Sequence, residues 1–279
     1  MEIKTDAIVL RTADYKDADK IVTLLTPSFG KISASVKGVK RASAKLSFAA
    51  QPFAFCEYVM TQKSGRRTVV SAYQHDGFFP LRTDICRFYA ACALAEACDA
   101  LCMEGEECRS VFVAAAECLR AIAYGEERGE TCGEALCSFL LTALFEAGYM
   151  IDLDGCGACG NALSNGDEER AIGTDAPQES GANDGERCYF DFTSGTFLCR
   201  RCGSVSVGIS GGGTGSGLAL ASKRTYDFLR RCAGYDVSET LAADAELRAL
   251  RLLKTYLSVK TERDYPCTTE FLRLYAQDR

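Results

Sequence analysis

Two cysteine pairs with the same short spacing, Cys156-Gly157-Ala158-Cys159 and Cys199-Arg200-Arg201-Cys202, are the residues of this chain best suited to chemistry. A C-x-x-C spacing lets one tight turn present two thiolates to a single ion, and two such turns complete a tetrahedron. Four sulfur ligands with no open position make a structural zinc site, expected at one Zn2+ per chain. Glycines at 155, 157, 160 and 203 flank the pairs, as turns that aim amides toward sulfur require. A lone C-x-x-C beside a βαβ pattern would read as redox-active. Here there are two pairs, and neither lies in such a pattern. Most of the sixteen cysteines, among them Cys86, Cys92, Cys98 and Cys102, stand in apolar runs and read as small buried hydrophobes. Cys188 is the one that could intrude on the quartet as a ligand.

A second group could hold a polyanion. The stretch Val36-Lys37-Gly38-Val39-Lys40-Arg41-Ala42-Ser43-Ala44-Lys45 carries four cations in nine residues, with glycine and small side chains between them. Such a loop can approach phosphates closely, and each contact releases counterions, so binding would be sequence-independent and sensitive to salt. Arg11, Lys20 and Lys31 belong to neighbouring elements, and Arg66 and Arg67 to another turn. Tyr15, Phe29 and Phe48 are candidates for stacking on bases, although Phe29 and Phe48 fit a core better than a stacking face. The charge is divided along the chain: residues 1–75 hold twelve Lys/Arg against six Asp/Glu, within a whole-chain net charge of -6. A basic first part joined to an acidic remainder suggests one surface for a polyanion and another for proteins.

Catalytic readings find little support, and the expectation is a protein that is not an enzyme. The one histidine, His75, rules out an H-E-x-x-H metal pair, and no G-x-S-x-G elbow accompanies it. The glycine-rich run ending at Gly217 is followed by Leu218, and its first lysine is Lys223, too far along for a phosphate-binding loop. The carboxylates Glu104, Glu106, Glu107, Glu126 and Glu127 fall near helix ends and loops and read as a solvated face.

These residues need elements to position them. Residues 3–10, 20–26, 31–36, 53–61 and 68–73 read as five short strands with turn signals between them, the pattern of a small barrel. From Leu81 apolar residues recur at helical spacing, giving helices near 85–101, 111–124 and 131–149, the third opened by the Thr131-x-x-Glu134 spacing of a capping box. Later helical segments are expected at 218–232, 241–257 and 269–275. Residues 165–186, with seven acids and one base, read as a mobile acidic loop, and 211–217 as a flexible linker. The start of the chain lacks the layout of a signal peptide, and no stretch approaches the ~20 apolar residues of a membrane span. The expected location is cytoplasmic, with no membrane contact.

Ala7-Ile8-Val9-Leu10-Arg11, Asp14-Tyr15 and Asp19-Lys20-Ile21-Val22-Thr23-Leu24-Leu25-Thr26 resemble the opening of RecO proteins. Gly30-Lys31, Lys37-Gly38-Val39-Lys40-Arg41 and Gln51-Pro52-Phe53 continue the match in order, and the cysteine pairs and Arg251-Leu252-Leu253-Lys254-Thr255-Tyr256-Leu257 also fit. The resemblance implies an α+β fold: an N-terminal OB-fold β-barrel (1–80), then an α-helical domain (81–154 and 218–279) with an inserted four-cysteine zinc module (155–217). It implies a recombination mediator in DNA repair that binds single- and double-stranded DNA and anneals complementary strands. The implied partners are RecR, the acidic tail of single-stranded-DNA-binding protein and, indirectly, RecA, at the nucleoid. Lys37, Lys40 and Arg41 are the DNA-contacting residues carried over by motif. Ser258-Val259-Lys260 stands where the family often has a histidine, and the acidic loop is an insertion. The competing readings are an OB/zinc adaptor acting through protein contacts and a DNA-processing enzyme.

Overall fold

A computed structural model describes residues 2–125, 131–163, 187–209, 217–237 and 243–277. The acidic loop expected at 165–186 and the linker at 211–217, apart from Gly217, lie outside the described residues. By contacts the chain divides into two units, Met1–Met150 with Leu250–Arg279, and Ile151–Ala249.

In the first unit, apolar alternation drives five strands into a closed barrel: β1 (Glu2–Tyr15), β2 (Asp19–Thr26), β3 (Gly30–Val36), β4 (Phe55–Lys63) and β5 (Arg66–Asp76), in the order β1-β2-β3-β5-β4. Inward positions such as Val9, Val22, Leu24, Ile32, Ala34, Val36, Tyr58 and Met60 fill it. All pairings are antiparallel except β3 with β5, where Ser35 meets Thr68. Ser35 Oγ donates there to the Arg67 carbonyl at 3.2 Å, which fastens the seam. A 3-10 turn at Phe48–Ala50 inserts Ala49 and Ala50 into the core, and the buried Tyr58 hydroxyl donates to the Ala49 carbonyl at 2.7 Å. That bond removes the cost of burying a phenol without a partner.

The helices α1 (Ile85–Leu101), α2 (Arg109–Tyr124), α3 (Cys132–Glu146) and, late in the chain, α7 (Pro266–Tyr275) belong to this unit, together with residues 250–261 of a longer helix that starts in the second unit. Asp84 caps α1 through the Arg87 amide at 2.8 Å, and Thr131 caps α3 through the Glu134 amide at 3.1 Å, as its spacing suggested. Glu96 of α1 accepts from the Cys267 and Thr268 amides at 2.9 and 3.0 Å, so the start of α7 is capped by another helix.

The segment between α1 and α2 is fastened to the β2–β3 turn. Lys31 N donates to Met103 O (3.1 Å), Gly105 N to Phe29 O (3.0 Å) and Cys108 N to Pro27 O (3.0 Å). Gly30 makes this close approach possible. Its φ is +60°, and a Cβ there would stand 1.9 Å from the Met103 carbonyl oxygen. Gly30→Ala is therefore expected to cost about 2–3 kcal/mol through backbone strain and lost clamp bonds. A urea denaturation midpoint equal to wild type would show that the clamp carries no such load.

The second unit holds a three-stranded antiparallel sheet of β6 (Arg187–Asp191), β7 (Thr196–Cys199) and β8 (Leu218–Ser222), ordered β7-β6-β8, with α4 (Arg200–Ile209) and α5 (Lys223–Cys232). Phe190, Phe197 and Tyr226 form its aromatic core, with ring centroids 4.8 and 5.0 Å apart. α6 (Ala243–Thr261) starts here and runs on past Leu250.

Several expectations change. Residues 218–222, read as helix, form β8: Leu-Ala-Leu-Ala fits either structure, and pairing with β6 decides. The helix α4 was not foreseen, because its glycines and serines suppress the helical pattern. Phe29 and Phe48 pack against the barrel core, which leaves Tyr15, 41% exposed, as the stacking candidate.

Candidate metal centre and nucleic-acid interface

The quartet converges. One ligand pair stands on the turn after Leu153, the other where β7 ends and α4 begins. The turn is laced by Cys156 N to Asn161 O, Gly160 N to Cys156 O and Gly157 N to Phe197 O, each 2.8 Å. The last of these ties the first pair to β7. The four Sγ atoms of Cys156, Cys159, Cys199 and Cys202 lie within 4.8 Å of one another. Cys159 and Cys199 are 4.0 Å apart. A tetrahedron with metal–sulfur bonds of ~2.3 Å has edges of ~3.8 Å, so the thiols are set to hold one ion after contracting by less than about an ångström.

Charge at the site is uneven. Burial pushes the Cys156 thiol up, but hydrogen bonds from the Cys199, Ala158 and Cys159 amides and from the Cys159 side chain prevail and bring it down to about 6. The Cys199 amide lies 3.2 Å from Cys156 Sγ. Cys202 is pushed up to about 12, first by its hydrogen bond with Cys199 and then by burial. One thiolate is stabilised, and further ionisation meets the repulsion that a central cation would relieve. Cys188 stays out of the group: it pairs with Cys199 in the β6–β7 register, is buried, and is raised to about 12 chiefly by that burial.

The basic residues sort into two sets. At the end of the barrel where β1 turns into β2 and β3 exits, Lys37, Lys40, Arg41 and Lys45 are exposed along one loop, Lys20 is half-buried on β2, and Lys16 joins them from the turn. The loop is anchored there: Gly38 N donates to Asp19 Oδ1 at 2.8 Å and Lys40 N to Ala18 O at 3.0 Å. A φ of +65° at Gly38 makes that fold of the loop accessible. Lys40 Nζ lies 2.8 Å from Asp14 Oδ2. Among the described residues, Lys37, Arg41 and Lys45 have no ion-pair partner. Arg11 sits further along the outer wall opposite Thr23, and Arg66 at the β4–β5 turn opposite Lys63.

The second set is ion-paired with residues in or just after α1. Lys31 is ion-paired with Asp99 at 3.1 Å and also donates to the Asp99 backbone carbonyl. Arg67, whose side chain is 16% exposed, is paired with Glu104 at 2.8 Å. Both reach residues in or just after α1, a use that charge counting along the sequence does not reveal. His75, the sole histidine, is exposed, with Nε2 2.9 Å from Asp6 Oδ1.

An OB-like five-stranded barrel with packed helices, joined to a unit carrying four convergent thiols, defines the class: barrel proteins with an accessory cysteine module. The profile described as "Recombination protein O N terminal" matches residues 1–76, and "Recombination protein O C terminal" matches residues 82–267. The chain belongs to the RecO family of DNA repair proteins. It is 28% identical to the DNA repair protein RecO of Desulforamulus reducens over 273 residues, covering 98% of this chain and 94% of that one. With the protein of the same name from Desulfitobacterium hafniense strain Y51, identity is 28% over 218 residues, 75% and 70% of the two chains. The Cutibacterium acnes protein is 35% identical over 162 residues, 56% and 65% of the two chains. Among the described residues, no helix is long and apolar enough to cross a membrane.

Proposed function

We propose that this protein is a recombination mediator whose barrel binds the sugar-phosphate backbone of single- and double-stranded DNA without reading sequence and brings complementary strands together. The observation that carries the reading is the gathering of Lys37 and Arg41, exposed and without ion-pair partners among the described residues, with Lys16, Lys20 and Lys40 where the loop after β3 is anchored to the β1–β2 turn. Lys45 lies further along the same loop, exposed and unpaired among the described residues. Cations held on a preformed loop neutralise phosphates and release counterions, so affinity falls steeply as salt rises. Tyr15 offers a ring at the same end for an unpaired base.

In this reading the protein acts without chemical turnover, at the nucleoid in the cytoplasm. Lys31 and Arg67 drop out of the contact set, whereas Arg11 and Arg66 extend it along the wall. RecR, the acidic tail of single-stranded-DNA-binding protein and, through them, RecA are the partners that membership of the family suggests. The quartet holds one zinc as a structural ion, because a closed set of four thiolates suits zinc and leaves no position for substrate.

Annealing of two complementary labelled oligonucleotides, followed at low and at physiological salt without ATP, tests the proposal. Acceleration that fades with salt is expected. Pairing at the spontaneous rate under both conditions, together with a stable protein–protein complex, would instead favour the adaptor reading.

A further inference from the structure

The loop proposed to meet DNA already rests on an acidic turn of its own chain. The hairpin end Asp14-Tyr15-Lys16-Asp17-Ala18-Asp19, where β1 passes into β2, carries three carboxylates. Two of them engage the loop in different ways. Asp19 accepts from the Gly38 amide, a backbone contact that shapes the loop and leaves its cations untouched. Asp14 engages a cation itself: its Oδ2 lies 2.8 Å from Lys40 Nζ, with the two side chains 62% and 36% exposed. Lys40 holds the Asp14 carboxyl below its usual range, first through the hydrogen bond and also through its charge, with help from Lys20, which stands opposite Asp14 in the β1–β2 register. Asp17 is exposed and has no ion-pair partner among the described residues.

We infer that Asp14 is an internal stand-in for phosphate: it occupies the Lys40 ammonium in the free protein and must be displaced when a nucleic-acid backbone binds. The inference rests on the DNA-binding reading and sharpens it. A carboxylate and a phosphate oxygen present the same anionic acceptor to an ammonium, so the two compete for one donor. Exchange of partners makes Lys40 contribute less net affinity than Lys37 or Arg41, which surrender no bond. It also lowers the cost of releasing a strand, which a protein that passes strands from one complex to another requires. Asp19 keeps the loop in place throughout, because its hydrogen bond goes to the backbone.

The effect is small per site and specific in form. An exposed ion pair is weak, so Asp14→Asn should tighten binding of a labelled oligodeoxythymidylate about two- to fivefold at low salt. The salt slope should steepen by up to about 0.7, the share of one newly unopposed phosphate contact on a single strand. Asp17→Asn makes the same change in net charge and should give less than half that gain. The decisive measurement is a double-mutant cycle by fluorescence anisotropy: in a Lys40→Ala background, Asp14→Asn should give no gain beyond that of Asp17→Asn. Equal gains from Asp14→Asn with and without Lys40, or equal gains from the two aspartate variants, would overturn the inference while leaving DNA binding intact. Wild-type protein that fails to bind the oligonucleotide even at low salt would sink the DNA-binding reading, and this inference with it.

Discussion

Serine at Cys156 or Cys199 is expected to unfold the second unit while the barrel and its helices stay folded. The sheet there has strands of five, four and five residues. Its aromatic core centres on Phe190, Phe197 and Tyr226. Too little apolar surface is buried by such a unit to offset its chain entropy without a cross-link. A structural zinc supplies that cross-link, with binding free energies of about 10–16 kcal/mol at neutral pH in small zinc modules. Metal analysis should return close to one zinc per chain for wild type and much less for either variant. Amide exchange should then become fast in residues 187–199 and stay slow in β1–β4. Urea unfolding of either variant should show a single transition, that of the first unit with its own core, and a smaller denaturant slope than wild type, because the second unit is already unfolded in water. A metal-free preparation with the exchange protection of the native protein would refute the zinc assignment. A folded protein holding a different metal would refute the choice of ion alone.

The second large effect concerns the basic loop. With Lys37, Lys40 and Arg41 all changed to alanine, affinity for single-stranded DNA is expected to fall by one to two orders of magnitude near 0.1 M salt. The slope of log affinity against log salt should flatten by about 1.4 to 2, from full phosphate contacts of ~0.7 each at Lys37 and Arg41 and a smaller share at Lys40, which Asp14 opposes. The loss should be alike for unrelated sequences, because backbone contacts carry no base information. Thermal stability should hardly change, since the three side chains are exposed and the loop keeps its Asp19–Gly38 and Ala18–Lys40 backbone anchors. Lys31→Ala and Arg67→Ala should behave in the opposite way, lowering stability with little effect on affinity, because their charges answer Asp99 and Glu104. Unchanged binding in the triple variant would remove the loop as the contact surface.

Much of this architecture could be read before folding was considered. β-prone runs separated by turn signals located all five barrel strands, although β1 and β5 run several residues beyond the segments those runs marked. The C-x-x-C spacing located all four thiols, since two residues between cysteines already fix the geometry of each half-site. The early excess of lysine and arginine pointed to the barrel as the basic part. Less was legible where composition is neutral between structures. Leu218–Ser222 became a strand by pairing with β6, and Arg200–Ile209 became a helix although its glycines and serines argue for none.

The residues themselves determined which side chains are apolar, which are charged and which thiols stand at bridging distance, because these properties are local and travel with the chain. Tertiary structure alone decided which cations remain available. Lys31 and Arg67 look no different from Lys37 and Arg41 along the sequence, yet partners 68 and 37 residues away claim the first two. An ion pair depends on distance in space, and only the closing of the barrel and the docking of α1 bring Asp99 and Glu104 within reach.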